Sequence, residues 1–148
     1  MYALAQKEEL KKEQIQNTYE KERTKIAVCG LHMRGFELEH QLTDLGGIFE
    51  SEELTAPLYK MYELSGKFKK PGMVKVNEGG KRLKVECYSL PTQNVGAFLK
   101  LIPAPLGLGK IILESNEEVI GFICEAAAVE SEVDITSYGG WRNYRASV

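Results

Sequence analysis

The chain has 148 residues, 43% of them hydrophobic and 27% charged, with a net charge of -2 and a sequence pI near 5.8, which suits one domain with a single ordinary core. That charge balance argues against the clustered basic face of a nucleic-acid binder. The longest mainly apolar stretch, AFLKLIPAPLGLGKIIL, is broken by two lysines and two prolines, so no membrane span of roughly 20 apolar residues is expected.

The first residues, MYALAQKEELKKEQ, are too charged for a secretory leader, and a cytoplasmic location is the expectation. From Lys7 to Lys25 six basic and five acidic side chains accompany Leu10, Ile15 and Tyr19 as the only large apolar residues. Glu8 and Glu9 each pair with Lys12 at helical spacing, which supports a solvated helix. No heptad is sustained, so the segment reads as an extension, a linker or a weak homodimer contact, not a coiled coil. Residues 1–24 form the predicted charged extension and residues 25–148 the folded domain.

Ile26-Ala27-Val28-Cys29 is a continuous apolar run of the kind buried on both faces of a sheet, stopped by Gly30. The segment beyond it, GLHMRGFELEHQL, contains both histidines, His32 and His40. A short helix is predicted over residues 39–45, then a turn at Gly46-Gly47 and two strands of a meander, 48–56 and 59–64, broken at Pro57. KKPGMVKVNEGGKRLKVECYSLP is the clearest predicted hairpin, with strands over 73–76 and 83–88 alternating around Asn77-Glu78-Gly79-Gly80. Leu83, Val85 and Cys87 then share one face of the second strand, and Lys84, Glu86 and Tyr88 the other. Thr92 is the predicted N-cap of a helix reaching Leu101, with Val95, Phe98, Leu99 and Ile102 at helical spacing. IPAPLGLG reads as a rigid loop, residues 111–114 and 119–124 as a second hairpin across Ser115-Asn116-Glu117, and DITSYGGWRNY as a docked tail carrying the one tryptophan, Trp141. The sum is α+β, a small and mostly antiparallel, barrel-like sheet with short helices.

Cys29, Cys87 and Cys124 are odd in number and set in apolar sequence, so each reads as a small buried hydrophobe. No CxxC or HxxxH spacing supplies a metal site, and GxSxG and Walker patterns are absent. His32 follows a buried strand and a glycine, where a side chain has a rigid mount. It is either a structural histidine bonded to backbone or a proton donor and acceptor, imidazole being the side chain that titrates near neutrality. His40 reads as a surface residue. Gln41 is a polar orienting group or an exposed helix residue. Glu86 lies on a solvated face or turns into a small barrel mouth, where burial would raise its pKa and make it an acid or base. Arg142, close to Tyr138 and Trp141, has the fork to hold a carboxylate or to cap the terminal segment. Pro105 and Gly107 suit a pocket wall or a stiff connector.

Taken in order, GLHMRGFELEHQL, TAPLYKMYEL, KPGMVKV, VECYSLP, FLKLIPAPLGLGKIIL, EEVIGFICEA and DITSYGGWRNY resemble the C-terminal domain of allophanate hydrolase, a domain similar in fold to the γ-glutamylcyclotransferase-like proteins. The resemblance runs from Ile26 to Tyr144, and nothing in the chain matches the amidase half of that enzyme with its Ser-Ser-Lys triad. It implies a stand-alone, cofactor-free decarboxylase of N-carboxycarbamate, the amidase product, or of a related small carboxylated amide, in urea and allophanate nitrogen metabolism. The family's histidine and glutamine fall on His32 and Gln41. On that reading His32 donates the proton, Gln41 and the backbone at Gly30 and Leu31 orient the carboxylate, and Arg142 with Tyr138 assists the anion. Glu37-Leu38-Glu39 stands where the family has Pro-Leu-Asn, and each added carboxylate in solvent would repel a dianion by about 1 kcal/mol, with Arg34 offsetting one. Two other readings keep the fold. One is a γ-glutamylcyclotransferase-like enzyme with Glu86 relaying a proton, although Val28-Cys29-Gly30-Leu31 replaces its aromatic-Gly-Ser/Thr signature. The other is a non-catalytic binding or assembly domain for a separate amidase or urea carboxylase.

Overall fold

The computed structural model describes residues 2–148, with the backbone alone described at residues 2 and 15–20. Helix α1 (Tyr2–Lys21) is solvated as its charge predicts, with Leu4 and Leu10 exposed; the side chains of Ile15 and Tyr19 lie outside the described set. Strand β1 (Arg23–Val28) follows at once and takes in Arg23 and Thr24, which the sequence leaves in the extension. Both are tied into the sheet by their side chains. Arg23 donates to the Ser89 hydroxyl and to the Ser89 and Gly46 carbonyls, and the Thr24 hydroxyl pairs with that of Thr92.

Helix α2 (Glu39–Thr43) and strand β2 (Ile48–Leu54) come next, then β3 (Tyr59–Leu64), β4 (Lys70–Lys75) and β5 (Lys84–Pro91). Helix α3 (Val95–Lys100) precedes the hairpin of β6 (Leu106–Ile112) and β7 (Glu118–Cys124), and β8 (Val133–Asp134) and α4 (Trp141–Ser147) complete the chain. The strands form two sheets, one of five strands in the order β2-β5-β1-β7-β6 and one of three in the order β4-β3-β8. The apolar run of β1 is wholly buried because β1 is the middle strand of the larger sheet, antiparallel to β5 and parallel to β7. The fold is α+β with short core-side helices, as expected.

The larger sheet is not a closed barrel. Twist brings its two edges together at one end only: Thr55, just past β2, bridges Leu113, just past β6. There the Ala56 amide donates to the Ile112 carbonyl and the Glu114 amide to the Leu54 carbonyl, each at 2.9 Å.

The clearest predicted hairpin does not form. β4 pairs with β3, whereas β5 lies between β1 and β2 in the other sheet. Alternation in the sequence conceals that β5 is buried on both faces from Val85 to Leu90, which calls for a partner on each edge and cover above and below. The intended turn instead folds back along β3, with Val76 donating to the Leu58 carbonyl and Lys81 to that of Tyr59. Gly80 permits this, since a Cβ there would lie 2.6 Å from the Leu58 carbonyl carbon. The predicted meander fails for the same reason: at Ala56-Pro57 the chain leaves the five-stranded sheet for the three-stranded one, so β2 and β3 are not neighbours.

Two local signals near α3 also read differently. Thr92 opens a 3-10 turn (Thr92–Asn94) and caps nothing, because its hydroxyl is taken by Thr24, and the α-helix begins at Val95. Of the predicted apolar stripe, Phe98 and Ile102 are buried while Leu99 stays exposed. The IPAPLGLG segment is loop only as far as Pro105, so Gly107 is a strand residue, opposite Ile123. The tail docks as expected: Trp141 is 1% exposed and opens α4, joining the main core with Met33 and Val85.

Candidate functional site

The loop that leaves β1 carries the site. Gly30 begins it, and a Cβ there would lie 2.6 Å from Pro71 Cγ. The glycine is therefore demanded by the crossing of β4, and the space expected for a ligand is filled by proline. Beyond it the backbone is stitched by short turns, Met33 donating to the Gly30 carbonyl at 3.0 Å, Phe36 to Met33 at 3.1 Å and Leu38 to Leu31 at 2.8 Å. Leu31 packs its side chain against the core. The loop delivers the chain into α2, so two residues nine apart in sequence, His32 and Gln41, face each other.

His32 Nε2 lies 2.7 Å from Gln41 Oε1. A carbonyl oxygen only accepts, so in this geometry Nε2 carries a proton and donates it to Gln41. The ring is 6% exposed and packs against Phe98, edge-on at 5.2 Å, and Phe122, tilted at 4.9 Å, which also meet each other at 5.9 Å. Burial pushes its pKa down, the Gln41 bond pulls partly back and His40 pushes down again, leaving it below the ordinary 6.5. His40 itself is exposed, as predicted.

Glu86, on β5, is 1% exposed. Its Oε1 accepts from the Arg34 amide at 2.9 Å and from Arg34 Nε at 3.2 Å, while Oε2 accepts from Arg142 Nη2 at 2.8 Å. The same Arg142 nitrogen donates to the Arg34 carbonyl at 2.8 Å, which closes a ring through the main chain of Arg34, one carboxylate and one guanidinium. Both guanidiniums lie on aromatic faces, Arg34 at 3.6 Å over Phe49 and Arg142 at 4.9 Å over Phe36. Burial alone would raise the Glu86 pKa, as the sequence reading expects. The Arg34 amide and the two guanidiniums more than reverse it, and the carboxyl titrates below its ordinary 4.5. The carboxylate held by Arg142 is thus the protein's own, and the arginine fastens α4 to the loop.

The remaining predicted residues are dispersed. Pro105 does line a cleft, of about 330 Å³, but with Leu64, Lys67, Phe68, Lys70 and Glu132, and without His32. Gly107 is held in the β6–β7 ladder. Tyr138 is half-exposed and meets Tyr144 edge-on at 5.0 Å. Among the described residues no group of three or more metal-ligating side chains converges. The cysteines are buried as expected, and burial pushes the Cys29 and Cys87 thiols up to about 12, which leaves them without thiolate character. Sequence reasoning missed Arg34 as a structural partner and Phe98 and Phe122 as walls of the histidine. The only local trace was a cation two residues after His32.

The family model of the allophanate hydrolase C-terminal domain matches residues 24–146. The urea amidolyase of Lachancea kluyveri is 40% identical over 125 residues, which are 81% of this chain and 7% of that protein. The chain therefore spans a small part of its curated relatives. The allophanate hydrolase structure from Kluyveromyces lactis superposes with a TM-score of 0.81 at 38% identity, over 85% of this chain and 21% of that one. A protein specific to uropathogenic E. coli gives 0.80 at 38% identity, over 86% of this chain and 98% of that one. An aig2-like protein from Mus musculus, 16% identical with a TM-score of 0.53 over 72% of this chain and 78% of that one, shares the γ-glutamylcyclotransferase-like fold alone. With the match covering the loop, both sheets and the docked tail, the chain belongs to the family of the allophanate hydrolase C-terminal domain.

Proposed function

We propose that the domain is a cofactor-free decarboxylase of N-carboxycarbamate, or of a closely related small carboxylated amide, in the degradation of urea by way of allophanate. The observation that carries this reading is the 2.7 Å bond between His32 and Gln41, in a family named for allophanate hydrolysis. Decarboxylation of the dianion breaks a C–N bond, releases carbon dioxide and leaves the electron pair on nitrogen, which must gain one proton to become carbamate. His32 supplies it. The imidazole is neutral in the free protein, and an arriving dianion raises its pKa and draws a proton from solvent onto Nδ1. Gln41 holds the Nε2 proton throughout, so the donor is fixed as Nδ1–H. A positioned acid of this kind contributes roughly 10²–10⁴ in rate.

Glu86 favours this reading over a cyclotransferase. A proton relay wants a carboxyl that both takes and gives, whereas Glu86 is kept ionised by its three donors. Allophanate supplied with the amidase half of a related hydrolase generates N-carboxycarbamate in place, and isotopic carbon dioxide release is then followed by membrane-inlet mass spectrometry. Added domain should accelerate release, and His32→Asn should remove roughly 10²-fold or more of that acceleration. Release at the uncatalysed rate, with the domain retained on the amidase, would replace this reading with the assembly one.

A further inference from the structure

Outside the histidine pair, the most constrained feature of the loop is the main chain of Arg34. Its N–H is bonded to Glu86 of β5 and its C=O to Arg142 of α4, and those two side chains are bonded to each other. The other backbone bonds within residues 30–38 stay inside the loop, which could move as a body. The main chain of Arg34 is where that body is fastened to the rest of the molecule by charged partners. Glu86 makes a stiff anchor, since β5 is paired on both sides there, with Val28 on β1 and Glu52 on β2.

We infer that Glu86 is a positioning residue for His32, acting through the main chain of Arg34 to hold the loop where the imidazole meets Gln41 and packs against Phe98 and Phe122. The inference rests on the proposed role of His32 for its functional meaning, though not for its geometry. A charge is required at position 86 because three donors, two of them cationic, converge on its two oxygens. Glutamine preserves the size but turns an N–H₂ toward either Arg142 Nη2 or the Arg34 donors, so one side of the ring opens. His40 and Gln41 are the polar groups that act on His32 itself, and neither shares in the bonds among Arg34, Glu86 and Arg142. The Arg34 main chain is the direct hydrogen-bonded link from Glu86 to the segment that carries His32.

With only two histidines in the chain, proton NMR of the full chain reads the imidazoles directly, and His40→Ala assigns them. In Glu86→Gln the titration midpoint of His32 should move up toward 6.5, the ordinary value, and its ring-current shifts from the two phenylalanines should shrink. His40 should not move. Turnover should fall at least about 10-fold in kcat with a smaller change in KM, the pattern of a misplaced acid. Arg142→Gln, which alters a half-exposed side chain, should act in the same direction more weakly and serves if Glu86→Gln does not fold. A folded variant whose His32 titrates and shifts as in the wild type overturns the inference. Failure of the wild-type domain to release carbon dioxide would instead remove the decarboxylase reading, since the imidazole signals are independent of turnover.

Discussion

His32 and Glu86 are both withdrawn from water, at 6% and 1% exposure, and burial opposes charge on each. One ends neutral and the other ionised. The difference lies in the partners: His32 has two aromatic rings and a single amide oxygen, whereas Glu86 has a backbone amide and two guanidiniums. Burial sets how much a charge costs, and partners decide whether it is kept. The two residues are thereby suited to opposite tasks. An imidazole that is neutral at rest can take a proton when an anion arrives. A carboxylate saturated with donors cannot change state without breaking the structure around it.

Removing the saturated member should do the most damage. Glu86→Ala leaves two guanidiniums and the Arg34 amide facing a void and should cost about 3 kcal/mol. That is the low end for breaking a buried pair, because both arginines are half-exposed and can turn to water. Thermal melts should show Tm lower by roughly 10 °C. The sign with pH follows from the depressed pKa: the Glu86 contribution is complete above 4.5 and is lost as pH falls from there through the folded-state value. The gap between wild type and Glu86→Gln should therefore narrow in acid, and a gap that is constant with pH would mean that the charge contributes nothing.

His32→Ala should cost less, about 2 kcal/mol, from the space left beside Phe98 and Phe122 and the lost Gln41 bond. This replaces the expectation, natural for a pocket-facing imidazole, of an unchanged melting temperature. Its pH dependence has the same sign in a different window. A buried neutral histidine stabilises the fold above 6.5 and does so less as pH falls from there through its lowered folded value, because the unfolded chain binds the proton more readily. Denaturant titrations of wild type against His32→Gln between neutrality and pH 5 should show the slope disappear in the variant. The smallest effect belongs to His40→Ala. This side chain is exposed, and the change should stay within about 0.5 kcal/mol; a larger loss would mean that α2 depends on it.

The parts of this arrangement that are local in sequence were legible there. The apolar run of β1, the short helix before Gly46-Gly47, the β6–β7 hairpin around Ser115-Asn116-Glu117 and the docking of Trp141 each follow from neighbouring residues. The pairing of β4 and β5 was not, because a turn-like NEGG between two alternating segments says nothing about whether the second is covered on both faces. The same limit applies to the site. His32 and Gln41 are nine residues apart and came from the family resemblance, whereas the groups that set the state of Glu86 lie 52 and 56 residues away. A carboxylate flanked by Val85 and Cys87 announces burial and gives no hint of its counter-charges.

The neutral, Nε2-protonated state of His32 is tested most directly by long-range proton–nitrogen correlation NMR of the full chain labelled with nitrogen-15 histidine, recorded at pH 7. The predicted result is one protonated Nε2 and one bare Nδ1 for His32, a pattern that collapses in Gln41→Ala. Two protonated nitrogens at that pH, the signature of an imidazolium, would contradict it.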